Sequence, residues 1–189
     1  MEPMPRVKLD PRRSVLVVID VQPSLSKTIF EIDRVLARAM FLAKVAHLLN
    51  IPVLATEQNP LRMGHTVPEL APFIGSSDPF SKMAFSALGS AEFMAALHAL
   101  GRTQVVLVGL ETHICVSQTA HDMLASDFEV VVCPDAVSSR TLEAHKLGME
   151  RIRDAGAVPA HTESVAYEWL GTADHPDFKQ FLSIVKSLA

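Results

Sequence analysis

Residues Ser14–Asp20 read SVLVVID. Val15 through Ile19 are apolar without alternation, the pattern of a strand covered on both faces, and such strands belong in a parallel sheet. The strand closes on a carboxylate, Asp20. Downstream, Ile29, Ile32, Leu36, Ala39, Ala43 and Ala46 fall at three-or-four spacing and predict a crossover helix from about Thr28 to Asn50, with Thr28 and Glu31 placed to form a capping box. IPVLAT (Ile51–Thr56) predicts a second strand, Pro52 being tolerable only near its start. QVVLVG (Gln104–Gly109) and EVVVC (Glu129–Cys133) predict two more buried strands, and Ala157–Ala160 a last short one. From Glu57 to Gly89 the chain has four prolines and little periodicity, which predicts a loop-rich insertion with one short strand near Phe73. Further helices are predicted from Ser90 as N-cap to about Leu100, with Gly101 as terminator; from about His113 to Ser126, with Thr112 as N-cap; from Ser139 to Ala155, ended by Gly156; and at the C-terminus, where Phe178, Phe181, Leu182, Val185 and Leu188 share one face.

Strands alternating with helices predict a three-layer α/β/α sandwich. Its core is a mainly parallel, doubly wound sheet of about six strands in the order 3-2-1-4-5-6, joined by right-handed crossovers. In such sheets ligands bind outside the carboxyl ends of the strands. Those ends hold Asp20, the segment Glu57–Asn59, the turn Gly109–Cys115 and the segment Cys133–Ser139. A chain of 189 residues fits a single domain over residues 1–189. Its 49% hydrophobic and 20% charged residues suit a folded core rather than disorder. The formal net charge of -4 leaves no basic surplus for nucleic acid or an anionic membrane. No apolar run approaches the ~20 residues of a membrane-spanning helix. The opening MEPMPRVKLDPRRS has prolines and charges where a signal peptide needs an apolar stretch, so a cytoplasmic location is expected. Two cysteines, Cys115 and Cys133, provide neither a disulfide framework nor a CxxC metal motif. The turn after Asp20, VQPSLS, has no glycine and therefore no dinucleotide cradle.

Three residues stand out chemically. Cys115, in VGLETHICV, is placed in the first turn of its helix, where unpaired amides and the helix dipole favour an anion, so its thiol is expected to ionise readily; a small buried core cysteine is the plain alternative. Asp20 ends an apolar central strand and needs a partner, unless it caps the next loop through the amides of Gln22 or Ser24. Lys82, in SKMAFSAL, is either a solvated loop charge or that partner. An acid, an amine and a thiol on three separate elements are the parts of a cysteine hydrolase.

The strings VLVVIDVQ (Val15–Gln22), FSKMAFSAL (Phe80–Leu88) and VGLETHICVSQTAHDML (Val108–Leu124) resemble the isochorismatase-like hydrolases, also called the cysteine hydrolase superfamily. The segments TEQNP, TVPEL, DAVSSR and HPDFK look most like the isochorismatase domain-containing proteins within it. The resemblance implies Asp20 as general base, Lys82 as its cationic partner and Cys115 as nucleophile. It also implies an oxyanion hole from the backbone amides of Glu111 and Cys115, with a cis peptide at Leu110–Glu111. Gln22, Glu57, Phe85, Thr112, His113 and Ser138 are the expected pocket lining, while His121 and Cys133 are read as packing residues. Nicotinamidases of the family hold a metal through an Asp-x-His pair and a further histidine after the second strand. This chain has Thr56, Glu57, Gln58 and Asn59 there and only His65 beyond, so no metal and no cofactor are expected. The implied activity is a metal-independent cysteine hydrolase acting on a small-molecule carboxamide or related C–N bond through a thioester. Vinyl-ether hydrolysis of the isochorismate type, which does not depend on the cysteine, and a non-catalytic oligomeric binding protein are the alternatives. Family members are commonly oligomeric, so a homo-oligomer is expected.

Overall fold

The computed structural model describes residues 8–75 and 78–188; the first seven residues of the opening stretch read above lie outside it. Six parallel strands form one sheet: β1 (Ser14–Ile19), β2 (Val53–Gln58), β3 (Phe80–Lys82), β4 (Gln104–Leu110), β5 (Glu129–Ser138) and β6 (Val158–Pro159), in the order 3-2-1-4-5-6. The helices are α1 (Pro23–Ser26), α2 (Ile32–Leu48), α3 (Pro60–Met63), α4 (Ala91–Ala99), α5 (Ser117–Ala125), α6 (Leu142–Asp154), α7 (Thr162–Leu170) and α8 (Phe178–Lys186).

Strand alternation sorts the core into two layers. Leu16, Val18, Val53, Val106, Val108, Val131 and Cys133 pack against α2, α7 and α8, burying Phe41, Trp169 and Phe181. Val15, Val17, Ile19, Val105, Leu107, Val130 and Val132 face α4, α5 and α6, with Phe93, Met123 and Ile152 at the contact. Every residue of β1 and β4 is buried, as a two-sided apolar run requires. Each large apolar side chain so enclosed contributes roughly 1.5–3 kcal/mol, so these two strands anchor the molecule.

Several local expectations are corrected. The third strand is Phe80–Lys82, whereas Phe73 closes a short 3-10 turn, Ala71–Phe73, at the core margin. The capping box at Thr28 and Glu31 does not form. Glu31 has a left-handed backbone (φ 51°) and its carboxylate pairs with Arg34 at 2.8 Å instead. Thr112 is not a helix cap: a π-wound turn, Thr112–Val116, precedes α5, and Glu111 stands before it without a side-chain cap. The Glu129–Cys133 strand runs on to Ser138. Its register against β4 jumps from Leu107–Val132 to Gly109–Val137, which accommodates Pro134 in a bulge. Helix α7 lies where no helix was predicted. Ser90 does cap α4, accepting from the Phe93 amide at 3.4 Å.

Gly109 lets β4 close onto β1 at the end that matters. Its φ is +116°, and a Cβ there would sit 2.1 Å from the Ile19 carbonyl oxygen, one residue before Asp20. Only glycine allows this approach.

Candidate active site

Asp20 leaves the end of β1 with a left-handed φ of 50°, a conformation that aspartate tolerates better than most residues. The turn takes its carboxylate off the strand axis into a fully enclosed position. There Oδ2 accepts from Lys82 Nζ at 2.6 Å and Oδ1 from Thr56 Oγ1 at 2.8 Å, both oxygens thus meeting buried donors. Both side chains of the Lys82–Asp20 ion pair have no exposed surface. Such a pair is tolerable only when its remaining hydrogen-bonding capacity is met. Here Lys82 Nζ also reaches Gln58 Oε1 at 2.9 Å and the carbonyls of Phe85 and Ala84 at 3.0 and 3.3 Å.

Strand register explains the arrangement. Gln58 and Lys82 are partners in the β2–β3 pairing, and Gln58 Nε2 donates to the Met83 carbonyl at 3.0 Å. Gln22 then fastens β2 from the other side. Its Oε1 accepts from the Gln58 amide at 2.8 Å, and its Nε2 donates to the carbonyls of Gln58 and Gly64 at 3.1 and 2.5 Å.

Cys115, 7% exposed, enters from the Thr112–Val116 turn beyond β4. Its thiol lies close enough to the Asp20 carboxylate, the Lys82 ammonium and the Glu111 amide for all three to act on it. The Leu110–Glu111 peptide bond is cis. Readily formed thiolate, as expected from a helix start, is not what this environment favours. Burial first, and then the negative charge of Asp20, push the thiol up to about 12, with Lys82 and the Glu111 amide opposing. A thiol facing a carboxylate resists becoming a second anion.

The remaining expected residues divide. Glu57 and Ser81 pair on the opposite face of the β2–β3 ribbon from Gln58 and Lys82. Glu57 therefore turns away from Asp20, accepting from the Thr66 amide and hydroxyl at 2.5 and 2.9 Å and meeting His65 Nδ1 at 3.1 Å, beside a separate cleft of about 460 Å³. Phe85 is 53% exposed and contributes its carbonyl to Lys82. Ser138 is buried and donates to the Phe30 carbonyl at 2.7 Å. Thr112 Oγ1 lies 2.9 Å from His145 Nδ1, and His113 Nδ1 lies 2.9 Å from Ser139 Oγ. The Glu111 side chain pairs with Arg140 at 3.1 Å.

Sequence reasoning missed Thr56, Gln58 and His145. For the first two a signal existed, since TEQ directly follows the apolar part of β2 at the carboxyl edge of the sheet. Thr56 meets Asp20 through the β1–β2 register and Gln58 meets Lys82 through the β2–β3 register, and local pattern encodes neither. Among the described residues no three His, Cys, Asp or Glu side chains converge as a metal-ligand set, and no helix is long and apolar enough to cross a membrane.

Residues 14–164 match the model of the isochorismatase domain. Isochorismatase domain-containing protein 2 of Danio rerio is 34% identical over 179 residues, covering 94% of this chain and 89% of that protein. A structure described as MAR1 ribonuclease from Caenorhabditis elegans is 32% identical, covers 95% of this chain and 93% of its own, and superposes with a TM-score of 0.89. The YcaC gene product of Escherichia coli, described as an octameric hydrolase of unknown specificity, shares the fold at a TM-score of 0.85 with 23% identity, covering 98% and 99% of the two chains.

Proposed function

The chain belongs to the isochorismatase family, and from that membership we propose that it is a metal-independent cysteine hydrolase of small-molecule carboxamides or related C–N bonds. The observation that supports this reading is a single buried carboxylate, Asp20, paired with a buried ammonium and acting by its charge on a buried thiol. In this scheme Asp20 takes the thiol proton as Sγ attacks the substrate carbonyl carbon. A thiol titrating near 12 stays protonated at rest, so the proton moves during the attack rather than before it. The carbonyl oxygen becomes an oxyanion, and the amides of Glu111 and Cys115 are its proposed donors. Collapse breaks the C–N bond, the proton on Asp20 goes to the departing nitrogen, and a thioester remains on Cys115. Water then attacks the thioester, Asp20 takes its proton, and the acid leaves as the thiol is restored.

Lys82 acts in this scheme by charge and position. Its three N–H donors face four protein acceptors, so none is spare for substrate. Thr56 and Gln58 complete the cage. Vinyl-ether hydrolysis makes no use of a cysteine, and the nearness of the Cys115 thiol to the Asp20 charge favours the thioester route over it. A homo-oligomer is proposed as well, supported by the octameric assembly named for the YcaC relative.

The test is hydrolysis of an amide and carbamoyl panel by the native chain, Cys115→Ala and Asp20→Asn, with mass spectrometry for an acyl adduct on Cys115. Each substitution is expected to lower kcat by about 10²–10⁴-fold. Turnover of any panel member that persists in Cys115→Ala, or turnover confined to vinyl ethers, overturns the thioester mechanism. A native chain that hydrolyses nothing while binding panel members supports the binding-protein alternative.

A further inference from the structure

The turn that carries Cys115 is braced from outside as well as from within. It is π-wound and no side chain caps it; the Ile114 and Val116 amides reach the Glu111 carbonyl at 3.1 and 3.2 Å, and the Ser117 amide returns to the carbonyls of Thr112 and Ile114. A neighbouring helix adds side-chain contacts. Thr112, wholly buried, meets His145 of α6 at 2.9 Å. One turn further along α6, Gly148 lies directly on the turn: a Cβ there would be 2.9 Å from the Cα of His113 and 3.0 Å from its amide nitrogen. From the segment leading into α6, Ser139 Oγ accepts the His113 amide at 3.4 Å and bonds its ring.

We propose that α6 is a clamp on the Cys115 turn and that His145, through its hydrogen bond to Thr112, is a positioning residue that keeps the thiol close to Asp20 and the Glu111 amide. This rests on the hydrolase reading above for its functional meaning, while its geometry is independent of any substrate. Burial, then the nearby Arg34, hold the His145 ring below the usual histidine range against the opposing charge of Glu31, so the ring is neutral around pH 7. A neutral imidazole bonds the Thr112 hydroxyl in either tautomer. Gly148 gives the clamp its reach and His145 its direction. Neither residue touches the reacting atoms; both act through the backbone of residues 112 and 113.

The consequence is readable in the thiol itself. The high titration point of Cys115 depends on burial and on Asp20, and both require the turn to be held down. Alkylation against pH, followed by peptide mass spectrometry in the full chain, reports Cys115 and Cys133 in the same sample. Cys133 is fully buried in the core and serves as the internal measure of global opening. In His145→Leu and Thr112→Val, which remove the bond from opposite sides, Cys115 should react at pH 9 at least about tenfold faster than in the native chain, with Cys133 unchanged. His145→Asn, whose amide falls near the position of Nδ1, and Thr112→Ser should restore the native profile. The double substitution His145→Leu with Thr112→Val should add nothing to either single change. The proposal is overturned if the apolar variants leave the Cys115 profile where it was, if the conservative variants shift it equally, or if Cys133 accelerates in step. Failure of the hydrolase reading looks different: no amide is turned over, yet the alkylation differences between variants stand.

Discussion

At Asp20 one buried carboxylate accepts two hydrogen bonds, from Lys82 and Thr56, close enough for its charge to act on the Cys115 thiol. Asp20 and Lys82 act on that thiol with opposite sign, so removing each charge should shift it in opposite directions. Asp20→Asn deletes the charge that raises the Cys115 thiol, so its titration point should fall from about 12, while turnover is lost with the base. Lys82→Met deletes the charge that lowers it, and the titration point should rise. Thiolate absorbance or alkylation against pH checks both signs; equal shifts in the two variants would mean the thiol does not sense the pair. Lys82→Met also leaves Asp20 buried and unpaired, which should cost about 3–5 kcal/mol in denaturant unfolding. Adding Asp20→Asn to it should recover most of that loss, because an amide needs no counter-charge. A double variant no more stable than Lys82→Met alone would show that the ammonium stabilises the fold by other contacts.

At the level of elements, the legible part of this molecule was the part whose cause is local. SVLVVID declares a strand covered on both faces because no polar side chain interrupts it, and the six-strand order follows from strands and crossovers taken in turn. Asp20, Lys82 and Cys115 were legible as residue types at strand ends and a turn. Their convergence was not, since it depends on the pairing of β2 with β3 and on the approach of β4 to β1. Thr112 shows the limit well: a threonine before a helical run reads as a cap, yet its hydroxyl is taken by His145, 33 residues away. Helix α7 was missed although Thr162, Val165, Ala166, Trp169 and Leu170 carry helical spacing, so there the signal was present and short. Gly109 is the element-scale hinge of the site. A methyl group at this position collides with the Ile19 backbone, so Gly109→Ala should push β4 from β1 just below Asp20. The expected loss is at least about 1–3 kcal/mol, the range for overpacking a rigid contact, together with a faster-reacting Cys115. Native stability and native alkylation in this variant would show that the strands have slack at this point.

For the whole molecule, buried titratable groups set the pH range over which the fold is stable, and the two cysteines act together on the alkaline side. Burial pushes the Cys133 thiol well up, with Asp135 adding to it, and Cys115 up to about 12. In the unfolded chain both return to about 8.5. Above that pH the unfolded chain sheds thiol protons that the folded chain keeps, so stability is fully present below about pH 8.5 and declines as pH climbs toward the folded values. On the acid side His145 gives the mirror case. Its ring, held down by burial and then by Arg34, is neutral in the fold, while the unfolded chain takes up a proton below about pH 6.5, so its contribution falls as the pH drops. Urea midpoints measured from pH 5 to 11 should therefore form a plateau between roughly 6.5 and 8.5. Cys115→Ser and Cys133→Ser should each flatten the alkaline limb, and His145→Asn the acid one, each leaving the opposite limb alone. An alkaline limb that survives both serine substitutions would place the proton release on unfolding elsewhere and remove the thiols as the cause. The same experiment joins the scales, since the group that defines the acid edge of the fold is the histidine that holds the Cys115 turn against Asp20.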